Sequence, residues 1–382
     1  MIKEAALFLY LLLVRVLFSL CRCFSIQNKT VLLTSFGDNM QHVVTELERS
    51  TDSKVIILKE PRCSFRFQFQ KQHVTLSFSP LSPIHFIRGM YHLATSRVVF
   101  VDNYHVILAG CRFHKSVTCV QLWHANGAVK LFGLKDKSVS GRTRSARHRF
   151  RAVYKNFHKL AVSSDDMASI FKEAFDKTDD SILRTGVPRT DFYFDEEKVS
   201  ASRDAVRRKL SQPDDKILLL YAPTYRSEEL NVESVNLDIF KLKEQLGERY
   251  HLLIRVHPAV NLSAVADDGF VTNVSGDYQI EELLAASDVL ITDYSSTPFE
   301  FSILNKPMLF YPYDLASYEE KTGIWFDYQK NIPGNIAMTT KDLIRMIQTE
   351  DYHFHKVKSF NDRWNKYADG HSTERLINML YR

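Results

Sequence analysis

Residues 287–311, SDVLITDYSSTPFEFSILNKPMLFY, carry two apolar runs separated by a polar turn and a proline-led segment. Val289, Leu290 and Ile291 form a short continuous apolar run, the pattern of a parallel strand buried on both faces. Asp293-Tyr294-Ser295-Ser296 break that pattern at its carboxyl end. Thr297 and Pro298 read as a helix start, because proline is tolerated in the first turn and Ser296 or Thr297 can cap free backbone amides. A strand that empties into polar residues at a helix start is how α/β sheets hold phosphorylated ligands. It is equally the form of an ordinary strand-loop-helix connection.

The same pattern recurs outward from this stretch. Residues 216–221 read as a strand ending in Ala222-Pro223-Thr224-Tyr225-Arg226, and residues 251–256 as another ending in His257-Pro258. Residues 289–292 and 308–311 continue the series, with helical periodicity at 238–246 and 279–286. An earlier series has β-rich runs at 31–33, 55–58, 97–101 and 118–123, with helices at 40–49 and 83–94. Alternation of strand and helix predicts parallel sheets. Neither series carries the glycine-rich dinucleotide fingerprint, so the expected fold is α/β, with two doubly wound domains facing a cleft.

A chain of 382 residues, 45% hydrophobic and 25% charged, accommodates two domains of ordinary size. A formal charge of +5 is too mild for a dedicated nucleic-acid binder and compatible with an anionic membrane surface. Basic residues concentrate between Lys130 and Lys159, at Lys135, Lys137, Arg142, Arg144, Arg147, Arg149, Arg151 and Lys155, opposed by Asp136. That segment is either a solvated basic face or a site for lipid head groups or a pyrophosphate-linked substrate. Cys21, Cys23, Cys63, Cys111 and Cys119 have no metal-ligand spacing and an odd count, which points to a reducing cytoplasm rather than a disulfide framework. Residues 5–24 approach the length of about 20 apolar residues needed to cross a bilayer, but Arg15 interrupts them. Arg15, Ser19 and Arg22 share one side at helical spacing, so the expectation is a helix lying in one leaflet with snorkelling arginines. A single span and a cleaved leader are the alternatives.

The chemistry-bearing residues sit at strand ends. His124 follows Trp123 and precedes Ala125, Asn126 and Gly127, where an imidazole titrating near neutrality can act as general base towards a hydroxyl. Arg255 and His257 put two cationic groups at another strand end, suited to phosphate oxygens. Arg189, in Gly186-Val187-Pro188-Arg189-Thr190-Asp191, is a further phosphate contact. Glu300, one turn beyond Ser295 and Ser296, either accepts from ligand hydroxyls or balances a positive helix start. Asp288 and Asp293 do not form an Asp-x-Asp pair, and a transfer without metal or cofactor is expected.

Taken together, Trp123-His124-Ala125-Asn126-Gly127, Gly186 to Asp191, Ala222 to Arg226, Arg255-Val256-His257-Pro258 and Ser287 to Ser296 occur in the order seen in CDP-glycerol glycerophosphotransferases of wall teichoic acid synthesis. The chain resembles that family over roughly residues 95–330. Its length, its apolar amino terminus, Arg363-Trp364-Asn365-Lys366-Tyr367, and Ala125-Asn126-Gly127 in place of the Gly-Thr-Pro common in polymerases look most like members that add a single glycerol phosphate. The lack of a long extra amino-terminal domain agrees with this expectation.

The resemblance implies a glycosyltransferase-B-like fold of two Rossmann-like domains. The implied divisions are a membrane-associating helix at 1–27, an acceptor domain at 28–195, a CDP-glycerol-binding domain at 196–360, and a carboxyl-terminal helix at 361–382 packing back on the first domain. It implies His124 and His257 as catalytic residues. The implied substrate contacts are Trp123, Ala125, Asn126, Gly127, Arg189, Thr224, Arg255, Val256, Asp293, Ser295, Ser296 and Glu300. The implied reaction moves one glycerol phosphate from CDP-glycerol to the N-acetylmannosamine of an undecaprenyl-pyrophosphate-linked disaccharide, releasing CMP. The implied partners are that acceptor, the cytoplasmic face of the cell membrane and other teichoic acid enzymes, with no nucleic acid. Repeated addition by a polymerase, a nucleotide-sugar glycosyltransferase, and a membrane scaffold binding lipid-linked precursors are the alternatives.

Overall fold

A computed structural model of the chain describes residues 2–210, 215–224, 226, 231–232, 235–256, 261–262, 269–276 and 278–381. They divide into two units: residues Met1–Asn126, Leu131–Asp191 and Tyr367–Arg382 form the first, and Gly127–Lys130 with Phe192–Lys366 the second. The fold is α/β, built on two parallel sheets.

In the first unit the strands are β1 (Gln27–Thr34), β2 (Lys54–Lys59), β3 (Val74–Ser77), β4 (Ser96–Val101), β5 (Thr118–Gln121), β6 (Lys159–Ala161) and β7 (Ile182–Leu183). They lie in the order β3-β2-β1-β4-β5-β6-β7 with every pairing parallel, Val31 standing opposite Ile56 on one side and Val99 on the other. Parallel strands are covered on both faces, which is why β1, β2 and β4 have apolar centres at Val31 to Leu33, Val55 to Leu58 and Val98 to Val101. The helix Asp38–Ser50 packs Met40, Val43, Val44 and Leu47 onto Leu32, Ile57 and Phe100, and Leu376 and Ile377 of the helix Ser372–Tyr381 join the same cluster. Growth of the sheet reverses between β1 and β4, so the loops after those two strands diverge and leave room for a site.

The second unit has β8 (Ile217–Ala222), β9 (Asn231–Val232), β10 (Tyr250–Ile254), β11 (Asn261–Leu262), β12 (Val271–Asn273), β13 (Val289–Thr292), β14 (Met308–Phe310) and β15 (Asn335–Ile336). Six of these form a sheet in the order β12-β10-β8-β13-β14-β15, and β9 pairs with β11 separately. The reversal falls between β8 and β13, the strand inside the stretch that opened the sequence reading. Gly127–Lys130 belongs here because Gly127 meets the Phe299 ring, Trp325 N donates to Val129 O, and Lys130 bridges to Ile324.

The expected strands are present, and the differences have local causes. The run read as 118–123 stops at Gln121, because Trp123 takes a left-handed φ of 60° that ends strand geometry. Of the strands with no sequence counterpart, β3, β6, β7 and β12 are two to four residues long, too short to show a period.

The apolar amino terminus is a helix, Ile2–Cys21. Val14 and Phe18 are buried on the first unit; Phe18 meets Phe113 edge-on, and Val14 sits where a Cβ on Gly110 would be 2.6 Å from it. Arg149 fixes its start through a two-pronged pair with Glu4 at 2.7 and 2.9 Å. Phe8, Leu9, Leu12, Leu13, Val16 and Leu20 face outward, and Arg15, Ser19 and Arg22 are exposed among them.

Candidate active site

In the first unit the polar groups gather where the sheet reverses. Asp102, the residue after β4, is buried and collects the loop that leaves β1: Oδ1 accepts from Ser35 N at 2.9 Å, and Oδ2 from Thr34 Oγ1 at 2.5 Å and from Phe36 N and Gly37 N at 3.0 Å. Glu60 accepts from Ser35 Oγ at 2.6 Å. The fully buried His105 lies between the two acids, 2.9 Å from Glu60 and 3.5 Å from Asp102. Burial opposes charge on His105, but the two carboxylates prevail and hold the imidazole protonated to about 9.

His124 stands directly against this knot. Its Nδ1 lies 3.2 Å from the backbone oxygen of Asp102, and its ring stacks on Phe36 and on Trp123, each at a centroid distance of 4.4 Å. A carbonyl only accepts, so Nδ1 carries the hydrogen and the neutral ring keeps its lone pair on Nε2. Trp123 is wedged against Phe132, Phe171 and Phe175, and its unusual φ is held by Gln121 Oε1 accepting from its amide at 2.7 Å and by Asn39 Nδ2 donating to its carbonyl at 3.0 Å. Arg189 is brought to the same place: its amide donates to Asn39 Oδ1 at 2.9 Å, and its guanidinium reaches the His124 carbonyl at 3.2 Å and Asp38 at 3.4 Å. Ala125 and Asn126 are buried, with Asn126 Oδ1 accepting from Ser163 Oγ.

The second unit repeats the theme. Asp293, the residue after β13, is buried; its Oδ1 accepts from Thr224 N at 2.7 Å and Tyr294 N at 2.6 Å, and its Oδ2 is 3.0 Å from Arg226 Nη2. Arg226 also forks onto Asp314 at 2.8 and 2.9 Å, donates to Thr224 O at 2.8 Å, and lies over the rings of Tyr294, Tyr313 and Tyr318. Burial works against its charge, yet Asp314 and Asp293 raise its pKa above the ordinary arginine value. Thr224 is thus brought to Asp293, and its Oγ1 is buried with no hydrogen-bond partner among the described residues. A buried hydroxyl without a hydrogen-bond partner costs free energy.

Around this point, Ser295 Oγ accepts from Thr297 N at 3.3 Å and from its hydroxyl at 3.1 Å. Ser296 occupies the cap position of the helix Thr297–Phe301 without a side-chain capping bond, and the helix is a single turn that runs into a 3₁₀ turn. The anion cradle expected there therefore has a short helix behind it. Glu300 is buried in that turn. Arg255 donates its amide to Tyr221 O at 2.9 Å, and Val256 donates to Ser275 Oγ at 3.0 Å, so the two extend the end of β10, Arg255 towards β8 and Val256 towards the residues after β12. Gly127 contributes closeness: a Cβ there would lie 2.6 Å from the Phe299 ring. His257 lies outside the described residues.

Sequence reasoning missed Glu60 and His105, and gave no role to Asp102 or Arg226, although both stand at polar strand ends, Asp102 in Asp102-Asn103-Tyr104 after the strand Val98 to Val101 and Arg226 in Ala222 to Arg226.

The class these observations define is an α/β protein with two parallel sheets, each with polar groups collected where its strand order reverses. Within that class, the sequence pattern of the family described as CDP-Glycerol:Poly(glycerophosphate) glycerophosphotransferase matches residues 16–382. The chain belongs to that family and is a glycerophosphotransferase enzyme. It is 38% identical over 361 residues to the teichoic acid glycerol-phosphate primase of Bacillus subtilis (strain 168), spanning 93% of this chain and 92% of that one. It is 35% identical over 298 residues to the teichoic acid poly(ribitol-phosphate) polymerase of Bacillus spizizenii, which covers 76% of this chain and 47% of that protein. Among solved structures, the wall teichoic acid polymerase TagF superposes with a TM-score of 0.81 at 21% identity, over 100% of this chain and 98% of that one, a likeness of fold.

Proposed function

We propose that the protein transfers one glycerol phosphate from CDP-glycerol to the N-acetylmannosamine of an undecaprenyl-pyrophosphate-linked N-acetylmannosamine–N-acetylglucosamine disaccharide, on a glycosyltransferase-B-like frame. The observation that carries the reading is the His124 contact with the Asp102 carbonyl, which commits Nδ1 as donor and leaves Nε2 as the basic atom. In the reaction, Nε2 takes the proton of the acceptor hydroxyl, and the oxygen attacks the glycerol-linked phosphorus. The bond to the CMP oxygen breaks, and CMP leaves with the negative charge. Ser295, Ser296, the orphan hydroxyl of Thr224, and Arg255 with His257 hold the donor phosphates and the charge that develops on them.

The enzyme works at the cytoplasmic face of the cell membrane as a monotopic protein. The helix Ile2–Cys21 is long and apolar enough to cross a bilayer, but Val14 and Phe18 bury one of its sides on the first unit, which suits a helix lying in the surface. Exposed Leu81, Ile84 and Ile87 extend the apolar area, and Arg144, Arg147 and Arg151 supply positive charge for lipid phosphates.

Incubation with CDP-glycerol and a synthetic lipid-linked disaccharide, followed by mass analysis, tests the reading. A single glycerol phosphate increment with CMP release supports it. A ladder of increments points instead to a polymerase, a sugar increment to a glycosyltransferase, and binding without CMP release to a scaffold. A folded His124→Ala enzyme that retains near-normal turnover removes the general-base assignment.

A further inference from the structure

We infer that Asp102 is the positioning residue of His124, an inference that rests on the general-base reading above. Asp102 acts through both of its ends. Its carboxylate ties down Thr34, Ser35, Phe36 and Gly37, and its backbone oxygen receives the imidazole Nδ1. The loop it ties is the one that carries Phe36, whose ring stacks on His124 at 4.4 Å with planes 24° apart. The same loop leads into Asp38 and Asn39, which hold Arg189, and Asn39 also holds the Trp123 carbonyl. One carboxylate therefore sets the Phe36 stacking partner of the imidazole, its hydrogen-bond acceptor and the backbone next to it.

A buried carboxylate accepting three amides and a hydroxyl is a rigid support, since any displacement leaves several donors unpaired at once. His105 balances the charge: with Glu60 and Asp102 ionised and His105 protonated, the group carries one net negative charge near His124. Asp38 and Arg189, which pair with each other, are further charged groups beside His124, the Arg189 guanidinium reaching its backbone carbonyl at 3.2 Å. The arrangement fits a base that must gain a proton in the transition state, because the residual negative charge favours the imidazolium.

Asp102→Asn tests this. The amide cannot accept on both sides, and it removes the net charge. We expect a folded variant in which kcat falls about tenfold or more while KM for CDP-glycerol stays within about twofold. The acid limb of the kcat–pH profile should also move to lower pH, because the imidazolium has lost its favourable neighbour. A variant that is merely less folded loses active enzyme without moving that limb. If Asp102→Asn does not fold, Phe36→Leu decides: Phe36 is 41% exposed and its replacement spares the carboxylate knot. There, kcat should fall several-fold with an unchanged melting temperature. A folded Asp102→Asn enzyme with kcat within twofold and an unmoved acid limb overturns the inference, as does a fully active Phe36→Leu enzyme where the first variant cannot be read. If His124→Ala keeps its turnover, the general-base reading falls and takes this inference with it. If His124→Ala is dead and Asp102→Asn is normal, only the positioning role is lost.

Discussion

Asp293 sits where a sequence reader expects a ligand contact, and replacing it with asparagine separates two roles. The carboxylate is 1% exposed and faces inward: Oδ1 accepts from two backbone amides, and Oδ2 is ion-paired with Arg226 at 3.0 Å without a hydrogen bond among the described residues. In Asp293→Asn the new NH2 must face either the Thr224 and Tyr294 amides or the Arg226 guanidinium, and both are donors. Removing one partner of a buried ion pair costs about 3–5 kcal/mol. Here Arg226 keeps its fork on Asp314, which lowers the cost, while one buried donor facing a donor adds about 1–3 kcal/mol. A net loss near 3 kcal/mol is the expected order. At about 2–4 °C per kcal/mol for a domain of 150–250 residues, the second unit should melt roughly 6–12 °C lower. The assay is thermal unfolding followed by near-UV circular dichroism without substrate, and then KM for CDP-glycerol below the transition. If the melting temperature is unchanged while KM rises, Asp293 is a ligand contact and the account of it as the brace of the Thr224 turn is refuted.

Gly127→Ala should destabilise by about 1–3 kcal/mol, since its Cβ would lie 2.6 Å from the buried Phe299 ring; equilibrium urea unfolding reads this directly. Asp191 caps the helix Ser372–Tyr381, accepting from Ser372 N and Thr373 N at 2.8 Å and Thr373 Oγ1 at 2.6 Å. Asp191→Ala should cost about 1–2 kcal/mol and speed amide exchange in that helix more than in the sheet. The His105 pKa rises from 6.5 to about 9 on folding, so its contribution to stability is complete below pH 6.5 and is lost as pH climbs through 9. Wild-type stability should therefore fall across that window relative to His105→Gln, and parallel urea midpoints from pH 6 to 9.5 with no difference in slope would contradict the Asp102–His105–Glu60 pairing.

The sheets were legible because parallel strands buried on both faces favour apolar runs, and β1, β2, β4, β8, β10 and β13 each contain one, such as Val31 to Leu33 in β1 and Leu252 to Ile254 in β10. Short outer strands such as β7 and β15 left no trace, since two residues carry no period and their pairing is settled by the neighbouring strand. Trp123 read as strand for a similar reason: an aromatic residue after Val120 and Leu122 fits β propensity, and only its surroundings force the positive φ. Arg189 read as a phosphate contact because its type suits one; in the structure its guanidinium reaches, among other groups, Asp38 and the His124 carbonyl.

The polar strand ends show why site residues are harder to read than strands. Asp102 and Asp293 occupy equivalent places, each directly after the strand that lies across the reversal from the first strand of its sheet. Each accepts backbone amides from the loop that follows that first strand, Ser35 to Gly37 in one unit and Thr224 in the other. The physical demand is common to both. Diverging loops at a reversal leave amides without sheet partners, and a buried carboxylate is an efficient acceptor for several at once. An aspartate is therefore called for whether or not a ligand binds, and its type and position in sequence are the same in either case. What distinguishes a brace from a binder is whether its acceptor capacity is already filled. By that measure Asp102 is a brace, while Asp293 braces the Thr224 turn through Oδ1 and keeps a buried Oδ2 with no hydrogen bond among the described residues; that oxygen, His124 Nε2 and Thr224 Oγ1 are where substrate chemistry should be sought.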